Sequence, residues 1–198
     1  MNQKKLCTYV LCFTLLFLLV VGTVLEQRHL SSQVIRLHIL ANSDSEEDQT
    51  VKLRVRDALL GRIGELTADC TNREEAAERL MEHAAELGSV AASVSGQPVT
   101  VSLGKEAYET RHYENFSLPA GTYLSLRIGI GAAEGRNWWC VAFPSVCTAA
   151  TAEELETEAV SAGLDGSDLH MMTDDTPDVQ IRYFFLELLS KLKDVFRG

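Results

Sequence analysis

Two cysteines seven positions apart, Cys140 and Cys147 in the stretch GRNWWCVAFPSVC, offer three chemistries. A thiolate at Cys140 could attack a substrate with His38 or His112 as base, because a thiol becomes reactive only beside a proton acceptor or a cation. The pair could instead close a disulfide over a loop turned by Pro144, a short cross-link that stabilises by about 2–3 kcal/mol if unstrained. Or both could be reduced core side chains. Cys140 lies in an alternating apolar run, and no glycine-rich elbow of the kind that presents a nucleophile surrounds it. The spacing therefore favours the disulfide over the nucleophile. The remaining histidines, His29, His83 and His170, are scattered without metal-ligand spacing. NSDSEED at 42–48 has oxygen ligands but lacks the central glycine and distant glutamate of a calcium loop. Asp174-Asp175 and Glu153-Glu154 lie in solvated sequence where no burial raises a carboxyl pKa. No catalytic residue, metal or cofactor is expected.

The same stretch carries both tryptophans. Trp138 and Trp139 are consecutive, so on a strand they point to opposite faces and one should lie near the surface. With Arg136 and Asn137 they make a candidate contact for a protein partner, since tryptophan and arginine dominate interface hot spots. The competing reading is coverage by the C-terminal helix or by the loop near Tyr113.

These residues must be positioned by elements that the patterning predicts. VIRLHIL at 34–40 alternates Ile35, Leu37 and Ile39 with Arg36 and His38, as a half-buried strand does. Asn42, Ser43, Asp44 or Ser45 can then cap a helix whose first turn carries Glu46, Glu47 and Asp48 and whose apolar side is Val51, Val55, Leu59, Ile63 and Leu66. Thr71-Asn-Arg-Glu74 reads as a capping box for a second helix running to Ala91. Strands follow, at Val99–Leu103, then TYLSLRIGIG, which the turn AAEGRN should hairpin onto WWCVAF. Residues 148–175 form an acidic, partly helical connector. Thr176-Pro177-Asp178 opens a last amphipathic helix, 176–198, with Ile181, Phe184, Phe185, Leu188 and Leu192 on the side expected to pack on the domain. The fold class predicted is α+β, a two-layer sandwich of a mostly antiparallel sheet with helices on one face, preceded by an N-terminal membrane segment.

That segment is Leu6–Leu25, twenty residues without a charge, nearer the roughly 20 needed to cross a bilayer than the roughly 7–15 of a signal-peptide core. An uncleaved anchor is favoured, with cleavage near Gly22 or Thr23 as the alternative. Lys4 and Lys5 keep residues 1–5 in the cytoplasm and send the domain at 26–147 to the far side. Of the formal net charge of −10, those two lysines supply the only charge before residue 26, leaving −12 beyond it. Such a balance argues against nucleic acid and against electrostatic docking on anionic lipid.

VIRLHILANSDSEEDQTVKLRVRDALL (34–60) and TRHYENFSLPAGTYLSLRIGIGAAEGRNWWCVAFPSVC (110–147) resemble the stage II sporulation protein R family of endospore-forming bacteria. Ser145 replaces a second proline of the family pattern. The resemblance implies a signalling protein exported from the forespore into the intermembrane space, membrane-anchored or released after signal cleavage. Its implied partner is a membrane-embedded aspartic protease of the mother cell, whose activation leads to maturation of sigma factor E. It implies a trigger and not an enzyme. The alternative from the residues is an extracytoplasmic cysteine hydrolase acting on cell-wall material, with Cys140 as nucleophile.

Overall fold

A computed structural model describes residues 3–149 and 151–197, with side chains for all but Thr148 and 194–197. Of the expected N-terminal segment 1–5, Met1 and Asn2 lie outside the described residues. Gly198 and the side chain of Arg197, within the last helix expected at 176–198, lie outside them too. The chain divides into two compact units, one of residues 31–107 and 122–165 and the other of 1–30, 108–121 and 166–198.

The first unit is an α+β body with a mixed sheet. Its strands are β1 (Ile35–Leu40), β2 (Val99–Tyr108), β5 (Gly121–Ile130) and β6 (Asn137–Phe143), in the order β2-β5-β1-β6. β1 runs parallel to β5, with Leu37 opposite Leu126, and antiparallel to β6, with Leu37 opposite Cys140. The hairpin expected between β5 and β6 does not form, because β1 lies between them. An interior strand loses both faces to packing, and all six residues of β1 are buried rather than the three of one face. Arg36 and His38, expected on a solvated face, are buried as well. Arg36 is accommodated by polar and aromatic neighbours: its Nε donates to the Cys140 carbonyl at 3.2 Å and its guanidinium lies 5.2 Å from the centre of the Tyr123 ring.

Helix α2 (Glu46–Thr67) packs on β1 and β6 through Val51, Val55, Leu59, Ile63 and Leu66, the stripe read from the sequence. Ser45 is its N-cap, accepting from the Asp48 N–H. The expected second helix is two, α3 (Arg73–Glu82) and α4 (Ala84–Ser95), because His83 leaves helical geometry between them. The capping box is shifted by one residue. Asn72 accepts from the Glu75 N–H at 2.9 Å, and the Glu75 carboxylate reaches back to the Thr71 N–H at 3.0 Å, so the longer amide side chain takes the cap. Gly88 lets α4 come close to β2, where a Cβ would stand 3.4 Å from Val101 Cγ2. The acidic stretch from 148 continues into α5 (Ala152–Ser161), capped by Thr151 and seated through Leu155 and Ala159.

The second unit holds α1 (Gln3–Gln33) as far as Leu30, a two-stranded ladder of β3 (Arg111–His112) and β4 (Ser117–Leu118), α6 (Gly166–Thr173) and α7 (Pro177–Arg197). The first of these is a helix long and apolar enough to cross a membrane. Stacking of Tyr113 on Phe116, 4.5 Å between centroids, tightens the β3–β4 turn in what the sequence suggested was loop. In α7 the buried side is Val179, Tyr183 and Leu186, whereas Ile181, Phe184, Leu188 and Leu192 are exposed, the reverse of the side expected to pack. Apolar residues occupy both sides of this helix, so periodicity alone does not choose between them.

Candidate interaction site

The site builds from the loop between β1 and α2, where the Asp48 carboxylate gathers three donors. Ser43 Oγ donates to its carboxylate at 2.5 Å, Asn42 Nδ2 at 2.9 Å and Gln97 Nε2 at 3.1 Å, while its own N–H donates to Ser45 Oγ. These bonds, from Ser43, then Asn42 and Gln97, pull the Asp48 pKa down from 3.8 to about 2, since donors favour the charged carboxylate. NSDSEED is thus a hydrogen-bonded knot as well as a cap.

The knot is tied to the loop that precedes β6. Asn42 Oδ1 accepts from the Ala132 N–H at 2.9 Å, and Asp44 Oδ1 accepts from the Arg136 N–H at 2.7 Å. Backbone bonds join Gly135 to Ala41 and Glu134 to Asn42. Two glycines permit the approach: a Cβ at Gly135 would stand 2.2 Å from the Ser43 carbonyl oxygen, and one at Gly131 2.2 Å from Asn42 Oδ1. From α2, buried Lys52 donates to the carbonyl oxygen of Arg136 at 2.8 Å and to Gln49 Oε1. Its burial, and secondarily the nearby Arg136 charge, lower the Lys52 pKa. The strand end bearing Arg136, Asn137, Trp138 and Trp139 is therefore held from three sides of the sequence, by residues 42–44, 52 and 131–135.

Trp138 and Trp139 do point to opposite faces, and each is half-buried. Trp138 sits opposite Ile39 in the ladder, with the Arg56 guanidinium 5.4 Å from its ring centre, a cation–π contact. Arg136 beside it is highly exposed and faces Asp44, 3.7 Å from Nε to Oδ1. Trp139 sits opposite His38 and stacks on it, 5.6 Å between centroids and 24° between planes. The His38 ring is fixed at both nitrogens: Nδ1 donates to Glu106, 3.1 Å from Oε2, and Nε2 lies 2.9 Å from Asn137 Oδ1. Arg127 approaches the same Glu106 at 3.9 Å. Sequence reasoning missed Arg56, Glu106 and the ordering role of His38, which come from separate elements and carry no local motif. The heptad-like placement of Lys52 and Arg56 on one helix was the available signal.

His38 is not placed as a base for Cys140. Leu37 is the partner of Cys140 and His38 that of Trp139, so adjacent positions send the two side chains to opposite faces. Cys140 instead meets Cys147, with Cα atoms 6.3 Å apart, inside the range that a disulfide bridges. The Val141 N–H donates to Cys147 Sγ at 3.0 Å. Among the other histidines, His83 pairs with Glu86 at 2.8 Å, and His112 Nδ1 lies 2.8 Å from Ser117 Oγ across the β3–β4 ladder. His170 is bonded to Asp174 at 2.5 Å and Asp178 at 3.4 Å, which raise its pKa.

The family model described as stage II sporulation protein R matches residues 31–153. The stage II sporulation protein R of Bacillus subtilis (strain 168) is 38% identical over 120 residues, covering 58% of this chain and 54% of the relative. The chain thus spans about half the length of the curated relative it matches. No solved structure matches.

Proposed function

The chain belongs to the stage II sporulation protein R family, and from that premise we propose that it is an exported sporulation signal that activates a membrane-embedded aspartic protease of the mother-cell membrane, leading to proteolytic maturation of sigma factor E. In this reading Leu6–Leu25 of α1 anchors the chain in the forespore membrane and residues 26–198 enter the intermembrane space. Cys140 and Cys147 form a disulfide there, in a compartment that permits one. The protein acts by binding; the partner carries the catalytic groups.

The observation supporting a binding mechanism is the investment of Asn42, Asp44, Asp48 and Lys52 in holding one strand end, with exposed Arg136 and half-buried Trp138, the latter beside Arg56. Arginine and tryptophan on a rigid frame lose little conformational entropy when a partner closes over them. We assign the protease contact to Arg136 and Trp138, with Asn137 and Trp139 positioning that strand end through His38.

Co-expression of this chain with the protease and the sigma factor precursor tests the reading, scored by conversion of precursor to mature factor. Conversion should depend on this chain, and should survive replacement of both Cys140 and Cys147 by serine in amounts of folded protein matched to the parent. Conversion that is unchanged when the chain is omitted removes the activator role. Loss on Cys140→Ser that Cys147→Ser does not reproduce would favour the cysteine hydrolase.

A further inference from the structure

We propose that α7 is a membrane-surface helix, lying in the outer interface of the bilayer that α1 crosses, with Ile181, Phe184, Leu188 and Leu192 immersed in lipid. The proposal rests on α1 being in the membrane, as argued above. The four side chains are 49%, 63%, 43% and 44% exposed and recur at intervals of three, four and four, which places them on one side of a helix. The opposite side, Val179, Tyr183 and Leu186, is already buried, and Tyr183 OH donates to the Met171 carbonyl at 2.7 Å. The exposed side is therefore not the one that seats the helix in its own unit.

Three contacts within this unit fix the level of α7 relative to the apolar run. Arg182 pairs with Glu26, the first charge after the run. Leu18, Leu19, Gly22 and Thr23 line one cleft with Asp178 and Ile181. Further along, Glu187, Ser190 and Lys191 line a cleft with Glu109, Thr110 and Ala120, next to Gly121, which abuts Gln27. Hence α7 crosses the outer end of α1 and does not descend along it. Ile181 facing Leu18 and Leu19 turns the exposed side toward the bilayer. Leu18 is seven residues inward of Leu25, roughly 10 Å at the helical rise, and interfacial helices sink their apolar faces about 5–10 Å.

Arg182 and Lys191 flank the apolar side, where long basic side chains can reach headgroups while their stems stay in lipid. Asp178 and Glu187 offset much of that charge, and the exported part of the chain is acidic. Apolar area therefore supplies the attraction, and a zwitterionic bilayer should suffice.

The full chain reconstituted in phosphatidylcholine vesicles tests this with Phe184→Trp, Leu188→Trp and, as control, Lys193→Trp, an exposed position about 180° round the helix from Phe184 and about 140° from Leu188. Emission is read as the difference from the parent. Lipids brominated on the acyl chain should quench positions 184 and 188 at least about threefold more than position 193, and aqueous acrylamide should show the reverse order. Equal access of acrylamide to all three positions overturns the proposal. So does shielding of 184 and 188 from both quenchers, which would mean that a second copy or another protein covers this side. If the chain fails to float with the vesicles at all, the anchor reading falls together with this one; if it floats but 184 and 188 are not quenched by lipid, only the placement of α7 falls.

Discussion

Asp48 concentrates the acid sensitivity of the loop frame. Its carboxyl is depressed to about 2 from 3.8, so the unfolded chain takes up that proton first. Its contribution to stability is then complete above roughly pH 4 and disappears as pH falls toward 2. In Asp48→Asn, melting temperature measured from pH 6 to pH 2 should start lower and fall less steeply than in the parent; parallel curves would show that the three hydrogen bonds to its side chain do not distinguish charged from neutral Asp48. The tryptophans separate by partner. Trp138→Ala should reduce sigma factor processing at least about tenfold while stability changes by no more than about 1 kcal/mol. Trp139→Ala, which strips the stack from His38, should lower stability by about 1–3 kcal/mol. Processing left intact by Trp138→Ala would move the contact elsewhere. The alternation of Trp138 and Trp139 was legible because strand geometry is local. The pairing of His38 with Glu106, 68 residues away, was not, since no spacing rule links positions brought together only by strand order.

At the scale of elements, the loop 131–136 matters more than a turn would. Expected to hairpin β5 onto β6, it instead carries the chain past β1, and its glycines make room for residues 41–43. Substituting Gly135 by alanine drives a Cβ to 2.2 Å from the Ser43 carbonyl oxygen, a backbone atom that cannot rotate away. The expected cost is about 1–3 kcal/mol, as for other overpacked sites, visible as a lower denaturant midpoint at unchanged slope. A midpoint equal to the parent's would mean that the two loops part at little cost. The Cys140→Ser, Cys147→Ser double variant should lose about 2–3 kcal/mol, and reductant should bring the parent to the same stability. Helix α2 was legible because its stripe and cap are local, down to the first turn Glu46, Glu47 and Asp48. The place of β1 was not, because Arg36 and His38 mimic a solvated face. An interior strand can carry such residues when Cys140, Tyr123 and Glu106 meet their polar groups, and those partners belong to other elements.

For the whole molecule, the question with the widest consequence is whether α1 stays. A signal peptidase acting near Gly22 or Thr23 would need that stretch to open into extended chain, yet α1 continues without a break from Gln3 to Gln33. Two contacts hold the helix just past the cleavage point. Glu26 pairs with Arg182, and Gln27 lies against Gly121, so closely that a Cβ there would overlap its side chain. Retention also suits the charge: with −12 beyond the apolar run, the domain gains little from anionic headgroups and needs an apolar tether to stay at a membrane. In the proposed reading the chain should therefore keep its apolar run, remain with membranes through alkaline carbonate, and be released only by detergent. Sequencing that begins at Thr23 or Val24, with the protein in the soluble fraction, would show that α1 serves for export alone. In that case Arg182→Ala should speed the release of the domain, because the first charge beyond the run would have lost its partner.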